Sequence, residues 1–383
     1  CPQDRLCEGN CVIEKGFEAV TIGSVEKYIT DTAWDRGWVK PIQPRRERPE
    51  SIGIVGAGPA GLAAAEQLRR KGYQVVVYDR YDRVGGLLIY GIPNFKLEKE
   101  IVQRREKLLR DSRVTFHLNC EVGRDVTLEE LRDRHQAVLI ATGVYKARDI
   151  AAPGVGLAGI VPALDYLTTS NRHGLGETTA EFESGLLDAK DKNVVVIGGG
   201  DTAMDCVRTA VRQGAKSVKC LYRRDRANMP GSQREVKHAE EEGVEFVWLS
   251  APQAFLGDDA VSHVRTVRIH LGMPDASGRQ TPQEIPNSHV NIEADLVLMA
   301  LGFDPEDLPA MLAAPDLGVT GWGTLKIDWR SMMTNLDGVF AAGDIVRGAS
   351  LVVWAVRDGR DAAERIHSYL TTKAQATQRI AAE

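Results

Sequence analysis

Two short runs of glycine carry the chemistry this chain can be read for. The first is Gly56-Ala57-Gly58-Pro59-Ala60-Gly61; the second is Gly198-Gly199-Gly200-Asp201-Thr202-Ala203. Both fit a spacing that brings backbone against a pyrophosphate. Gly56 and Gly198 permit the tight turn, Gly58 and Gly200 leave room for the phosphates, and Gly61 and Ala203 let a helix pack closely on a strand. A helix opening there offers free N–H groups and the positive end of its dipole. The charge placed downstream of each run differs in sign. Asp79 stands 23 residues after Gly56, where a carboxylate accepts hydrogen bonds from ribose hydroxyls. Arg223 stands 25 residues after Gly198 and is succeeded by Arg224. A carboxylate there would repel a 2′-phosphate, whereas guanidinium forks suit one. The first run therefore suits FAD, and the second suits NADPH rather than NADH.

Each run needs a strand before it and a helix and strand after it. Ser51–Val55 reads as a strand, Leu62–Lys71 as a helix stopped by Gly72, and Gln74–Tyr78 as the second strand. The pattern repeats with Asn193–Ile197, Ala203–Gln213 stopped by Gly214, and Ser217–Tyr222. Two such units predict an α/β fold with two doubly wound, Rossmann-like three-layer domains. Upstream, Val25, Tyr28 and Ile29 give Ser24–Ala33 a helical spacing, and the prolines of residues 41–50 predict an extended linker. Arg83-Val84-Gly85-Gly86-Leu87-Leu88 offers a second loop to lie against the first nucleotide.

Composition sets the bounds. The chain has 383 residues, 48 Lys+Arg, 53 Asp+Glu and a net charge of −5. That length predicts two or three domains, and that charge balance argues against nucleic-acid binding. No apolar run is long enough to span a membrane and no signal peptide opens the chain, so a cytoplasmic protein is expected. Of six cysteines, Cys1, Cys7 and Cys11 crowd the start, while Cys120, Cys206 and Cys220 are isolated. Packing is expected for Cys206 in its helix and Cys220 in its strand. A disulfide framework is not expected. No Cys-x-x-Cys occurs, which argues against a thioredoxin- or glutathione-reductase type of chemistry.

Further segments complete a set. Leu139-Ile140-Ala141-Thr142-Gly143, Leu298-Met299-Ala300-Leu301-Gly302 and Gly338-Val339-Phe340-Ala341-Ala342-Gly343-Asp344 resemble the corresponding segments of two-dinucleotide flavoproteins. More specifically, Cys1 to Cys11, Gly86-Leu87-Leu88-Ile89-Tyr90-Gly91-Ile92-Pro93, Gly198 to Asp205 and Trp354 to Arg360 resemble the small (beta) subunit of NADPH-dependent glutamate synthase, over residues 1 to about 370. The resemblance implies an NADPH domain inserted into an FAD domain. Residues 1–40 would be the remnant of an N-terminal iron–sulfur segment, 51–145 and 303–383 the two parts of the FAD domain, and 146–302 the NADPH domain. It implies FAD held by Gly86, Leu87, Tyr90, Ile92, Pro93, Gly143, Gly343, Asp344, Leu351, Val352 and Ala355, with Gly302 on the NADPH side.

The resemblance also implies that Cys1, Cys7 and Cys11 bind a 4Fe-4S cluster whose remaining ligand lies upstream, so a missing N-terminal segment is expected. Glu26 is read as an exposed helix carboxylate rather than a ligand. Electrons from NADPH would pass through FAD and iron–sulfur clusters to an FMN in a large (alpha) partner subunit, which makes glutamate from glutamine and 2-oxoglutarate. Two alternatives stay open at this point: the input subunit of another iron–sulfur flavoprotein, such as a ferredoxin-linked NADPH oxidoreductase, and a non-catalytic flavin-binding assembly subunit. The stretch Ile366–Ala382 reads equally as a docking helix or a tail.

Overall fold

Short apolar runs dictate the frame of the computed structural model, which describes residues 2–14, 16–276 and 280–380, the side chains of 375–380 excepted. In the first unit, β1 (Ser51–Val55) leads into α1 (Pro59–Arg70) and β2 (Gln74–Tyr78). In the second, β3 (Asn193–Ile197) leads into α2 (Asp201–Arg212) and β4 (Ser217–Tyr222), followed by α3 (Gln233–Glu241). β3 is buried at every position, as a parallel strand covered on both faces must be.

The two sheets share a plan. The first runs Val339–Ala341, Ala137–Ile140, β1, β2, Thr115–His117, with every pairing parallel. The second runs Ile160–Pro162, Leu296–Met299, β3, β4, Glu245–Trp248, again all parallel. In each, the chain departs to one side of the unit's first strand and later returns to its other side. That reversal opens a crevice beyond the C-terminal ends of the strands, where doubly wound sheets bind ligands.

Both helices begin earlier than the apolar pattern predicts, at Pro59 rather than Leu62 and at Asp201 rather than Ala203. Gly58 and Gly200, both extended, stand at the N-cap positions. Proline lacks an N–H and suits the first helical position. The second half of each glycine run is therefore already helical, and its unpaired N–H groups lie at the crevice.

Four strands between the second unit and its last parallel strand were not legible in the pattern. Ser250–Gly257, Val261–Pro274, Gln280–Glu284 and Val290–Glu293 form an antiparallel sheet. Phe255, Val261, Val264 and Ile292 pack it on Val195, Ile197 and Leu221, which makes it the second domain's third layer. The chain passes between the domains twice, at Lys146–Ala147 and Phe303–Asp304, and these short segments pair with each other.

The described segments near both ends dock. Helix Ile22–Asp35 includes the predicted Ser24–Ala33 and touches the first domain through Arg104, which pairs with Asp31 at 2.6 Å and lies over the Trp34 ring at 4.9 Å. At the other end, α4 (Val352–Ile380) runs as one helix, with Ile366 and Leu370 in the first core; Ala382 lies outside the described residues. α4 crosses α1 closely, and a Cβ at Gly359 would stand 2.1 Å from the Ala60 carbonyl oxygen. Gly359→Ala gains helix propensity but forces the helices apart. A net loss of about 1–3 kcal/mol is expected, read as a lower urea midpoint.

Candidate functional site

The two glycine turns are built alike. Gly56 has φ +107°, and a Cβ on it would stand 2.4 Å from the Ala141 carbonyl oxygen. Gly198 has φ +148°, and its Cβ would stand 2.2 Å from the Ala300 carbonyl oxygen. Ala141 and Ala300 belong to the two equivalent segments that end in Gly143 and Gly302. At both second glycines, Gly58 and Gly200, a Cβ would meet nothing within 4 Å, so open space lies where a pyrophosphate would rest.

The first turn borders a cleft whose empty space, open solvent at its mouth included, is about 1060 Å³. Gly56, Gly58, Pro59, Ala60, Asp79, Leu87, Gly143, Gly343, Asp344, Leu351, Val352 and Ala355 all line it. Gly61 sits just behind, pressed against the Gly56 carbonyl. Gly86 approaches the Gly58 Cα, and a Cβ on it would be 3.0 Å away. The cleft carries two orphaned acceptors, Thr142 Oγ1 and Asp344 Oδ1, buried without a partner. Burial pushes the Asp344 carboxyl up to about 6. Asp79 accepts from the Ala57 N–H at 2.6 Å and the Tyr81 N–H at 2.8 Å, while burial raises its pKa. An open turn at a helix N-terminus, a strand-end carboxylate and unpartnered acceptors deep in a long cleft fit FAD.

Other lining residues were not found from the sequence. Arg80 pairs with both oxygens of Glu306, at 2.8 and 3.0 Å, and lies over the Tyr81 and Tyr145 rings. Glu306 is 226 residues away in the chain, and no local spacing could have joined them.

Tyr90, Ile92 and Pro93, expected in the flavin wall, do not line this cleft. The short helix Leu87–Tyr90 puts Leu87 and Leu88 on the cleft and turns Tyr90 toward the second domain. There its hydroxyl donates to Asp82 and its carbonyl accepts from Asn171 at 2.9 Å. The Ile92 carbonyl, with that of Leu88, accepts from the buried Lys99 ammonium, which desolvation brings down to about 8.

At the second turn, Thr202 and the fully buried Ala203 form the first helical turn. The Asp201 carboxylate accepts from the Ser232 N–H at 2.9 Å. Gly199 admits no side chain, since a Cβ would enter the Tyr222 ring at 2.4 Å. At the end of β4, Arg223 is exposed. Arg224 is partly engaged: it donates to the Gln280 carbonyl at 3.4 Å, and its Nε is buried without a partner. Gly302 has φ +94°, where a side chain would be strained.

The cysteine segment docks on this domain. Asp4 accepts from the Ser232 hydroxyl at 2.8 Å and from the Gln233 N–H at 3.1 Å, capping α3. Arg5 donates to the Pro230 carbonyl at 2.8 Å and approaches Asp201 at 3.5 Å, while Arg234 pairs with Glu8. Cys7 and Cys11 are free thiols. N–H donation from Val20 and Ile13 lowers the Cys11 pKa toward the thiolate a cluster needs. Cys1 lies outside the described residues, and among the described residues no three metal-ligating side chains converge. Glu26 is exposed on its helix. Cys206 and Cys220 are buried in packing, whereas Cys120 edges the cleft.

Two glycine turns on two doubly wound domains, one beside a long cleft, define a two-dinucleotide reductase. Residues 50–359 match the family described as Pyridine nucleotide-disulphide oxidoreductase, and residues 1–38 match Dihydropyrimidine dehydrogenase domain II, 4Fe-4S cluster. The fold is similar to that of FprA of Mycobacterium tuberculosis in complex with NADPH (TM-score 0.72, 21% identity, 86% of each chain). The chain is 70% identical over 384 residues to the glutamate synthase [NADPH] small chain of Azospirillum brasilense, covering 100% of this chain and 80% of that one. It is 66% identical to the putative glutamate synthase [NADPH] small chain of Cereibacter sphaeroides, covering 98% of this chain and 90% of that one. The chain belongs to the glutamate synthase [NADPH] small chain family.

An FAD hydroxyl donating to Asp344 Oδ1 would favour the ionised carboxylate, so FAD bound there would lower a pKa that burial holds at about 6. Below that value, binding must release a proton. FAD affinity of the apo-protein should therefore rise as pH increases toward 6 and then level off, by linkage. FAD titrations between pH 5 and 7 check this; the slope should vanish in Asp344→Asn.

Proposed function

We propose that this chain is the electron-input subunit of a glutamate synthase. NADPH binds at the second turn and FAD in the first cleft. A 4Fe-4S cluster held in part by Cys7 and Cys11 leads onward, with Cys1 assigned to the same ligand set. The recipient is a large partner subunit carrying FMN, in the cytoplasm, where glutamine and 2-oxoglutarate give glutamate. The observation that carries this reading is the pair of like-built turns with opposite charge at the two strand ends, Asp79 on one and Arg223 with Arg224 on the other. No described helix is long and apolar enough to cross a membrane.

FAD, when bound, accepts two electrons as a hydride from reduced nicotinamide and returns them singly, as an iron–sulfur acceptor requires. The chain's own residues do the rest. Gly58 and the first turn of α1 hold the pyrophosphate, Asp79 the adenosine ribose, and Asp344 the ribityl hydroxyls. Leu351, Val352 and Ala355 bring the N-terminus of α4 to the cleft, where its dipole favours negative charge on the ring. Arg223 meets the 2′-phosphate directly; Arg224 supports it from its anchor on Gln280.

Anaerobic mixing with NADPH or NADH, followed by flavin bleaching, tests the reading: fast bleaching by NADPH and slow by NADH is expected. Arg223→Gln with Arg224→Gln should weaken NADPH about 10-fold or more and leave NADH nearly unchanged, since charge-assisted hydrogen bonds are lost only to the phosphate. Equal weakening of both nucleotides would refute the assignment. Glutamate formation by the chain together with its large subunit tests the partner.

A further inference from the structure

The two domains are joined covalently only by the crossings at Lys146–Ala147 and Phe303–Asp304, whose pairing spans two residues. Such a joint is soft to rotation, yet hydride transfer tolerates little misplacement. The loop beyond Asp79 bridges the gap. Its middle, Leu87 and Leu88, lines the flavin cleft, and its two ends reach across the seam.

At one end, Asp82 pairs at 3.0 Å with Arg172, a residue of the second domain's helix Ala163–Gly174. That guanidinium also lies over the Tyr90 ring at 4.5 Å. Glu177 accepts from Arg172 at 2.7 Å and from Arg83. At the other end, Lys96 Nζ lies 2.7 Å from Asp205 on α2 and 3.0 Å from Glu235 on α3. Glu235 is held in turn by Arg208 at 2.6 Å. Phe95 slides beneath Arg208 and Arg212, 4.9 and 4.0 Å from their guanidinium carbons.

We infer that the loop from Asp82 to Lys99 aligns nicotinamide with flavin, and that Lys96 is its positioning residue. The inference rests on the reading that NADPH reduces FAD in this chain. One ammonium stands between two carboxylates from different helices, and Asp205 is only 8% exposed. Without Lys96 the two acids repel, and the loop loses its hold on α2 and α3. Burial already pushes Asp205 up to about 6 despite the facing ammonium, so the pair is costly to bury and its geometry is what it contributes. Because Lys99 ties the Leu88 and Ile92 carbonyls beneath the same loop, a shift at Lys96 carries to the flavin wall.

The test uses holoprotein with FAD and cluster in place, mixed anaerobically with NADPH. Lys96→Met leaves Asp205 buried and unpaired, so Lys96→Met with Asp205→Asn removes both charges. Lys96→Arg keeps the cation. The double variant should retain FAD content and bind NADP⁺ within about 2-fold of wild type. At saturating NADPH it should reduce flavin about 10-fold or more slowly, the scale expected for misalignment of reacting groups. It should also lose the long-wavelength charge-transfer absorbance of nicotinamide stacked on flavin, and Lys96→Arg should restore most of both. Wild-type rate and absorbance in the double variant would overturn the inference, as would loss of FAD or NADP⁺ binding in place of the later step. Wild-type protein that NADPH fails to reduce would instead sink the underlying reading.

Discussion

The structure depends on two carbonyl oxygens, those of Ala141 and Ala300, each pressed against a glycine that has no room for a side chain. These contacts bring the loop after a late strand onto the turn after the unit's first strand. They set the floor of each crevice, and the rest is arranged around that floor. α1 and α2 must start immediately, so their free N–H groups stand at the crevice. The adjacent glycine must be bare, so phosphates have room. One constraint, used twice in the same chain, explains why the motifs ending in Gly143 and Gly302 are partners of the glycine runs rather than independent signals.

With the floors alike, the walls distinguish the sites. Asp79 is inward, buried and doubly hydrogen-bonded, as suits a contact with hydroxyls. Arg223 is outward and exposed, as suits a phosphate arriving from solvent. The strand-end positions are equivalent, and what differs is the charge that each environment can support. Burying a guanidinium without a partner is costly, which is why Arg224, less exposed than its neighbour, leans on the Gln280 carbonyl.

Much of this was legible. The strands of both glycine units were placed correctly because buried parallel strands are short apolar runs with glycine punctuation. The positions of Asp79 and Arg223 came from counting. The helix starts did not, because Pro59-Ala60-Gly61 looks like a turn while its residues are already helical. Tyr90 is expected at the flavin because an aromatic beside a flavin loop reads as a flavin wall; the structure shows its hydroxyl on Asp82 and its ring under Arg172, contacts that no local pattern contains. The four-stranded antiparallel layer was invisible because its apolar residues are interrupted by charged ones on its open face. The pairing of Arg80 with Glu306 is a product of tertiary folding, and no pattern shorter than the chain contains it.

The N-terminal segment ties the two domains together from outside, by side-chain contacts at each end. Asp4 caps α3 of the second domain, and further along the chain Asp31 and Trp34 grip Arg104 of the first. Topologically the chain is a guy rope, fixed to one domain at its cysteine-bearing end and to the other at its helix. Tension applied at the cysteines reaches the nucleotide domain first, through Asp4, which accepts one hydroxyl of Ser232 shared between its two oxygens and the Gln233 N–H, and through the Glu8–Arg234 pair. Whatever grips that end of the molecule takes hold of the nucleotide domain's α3 at the same time, with no lever arm between them.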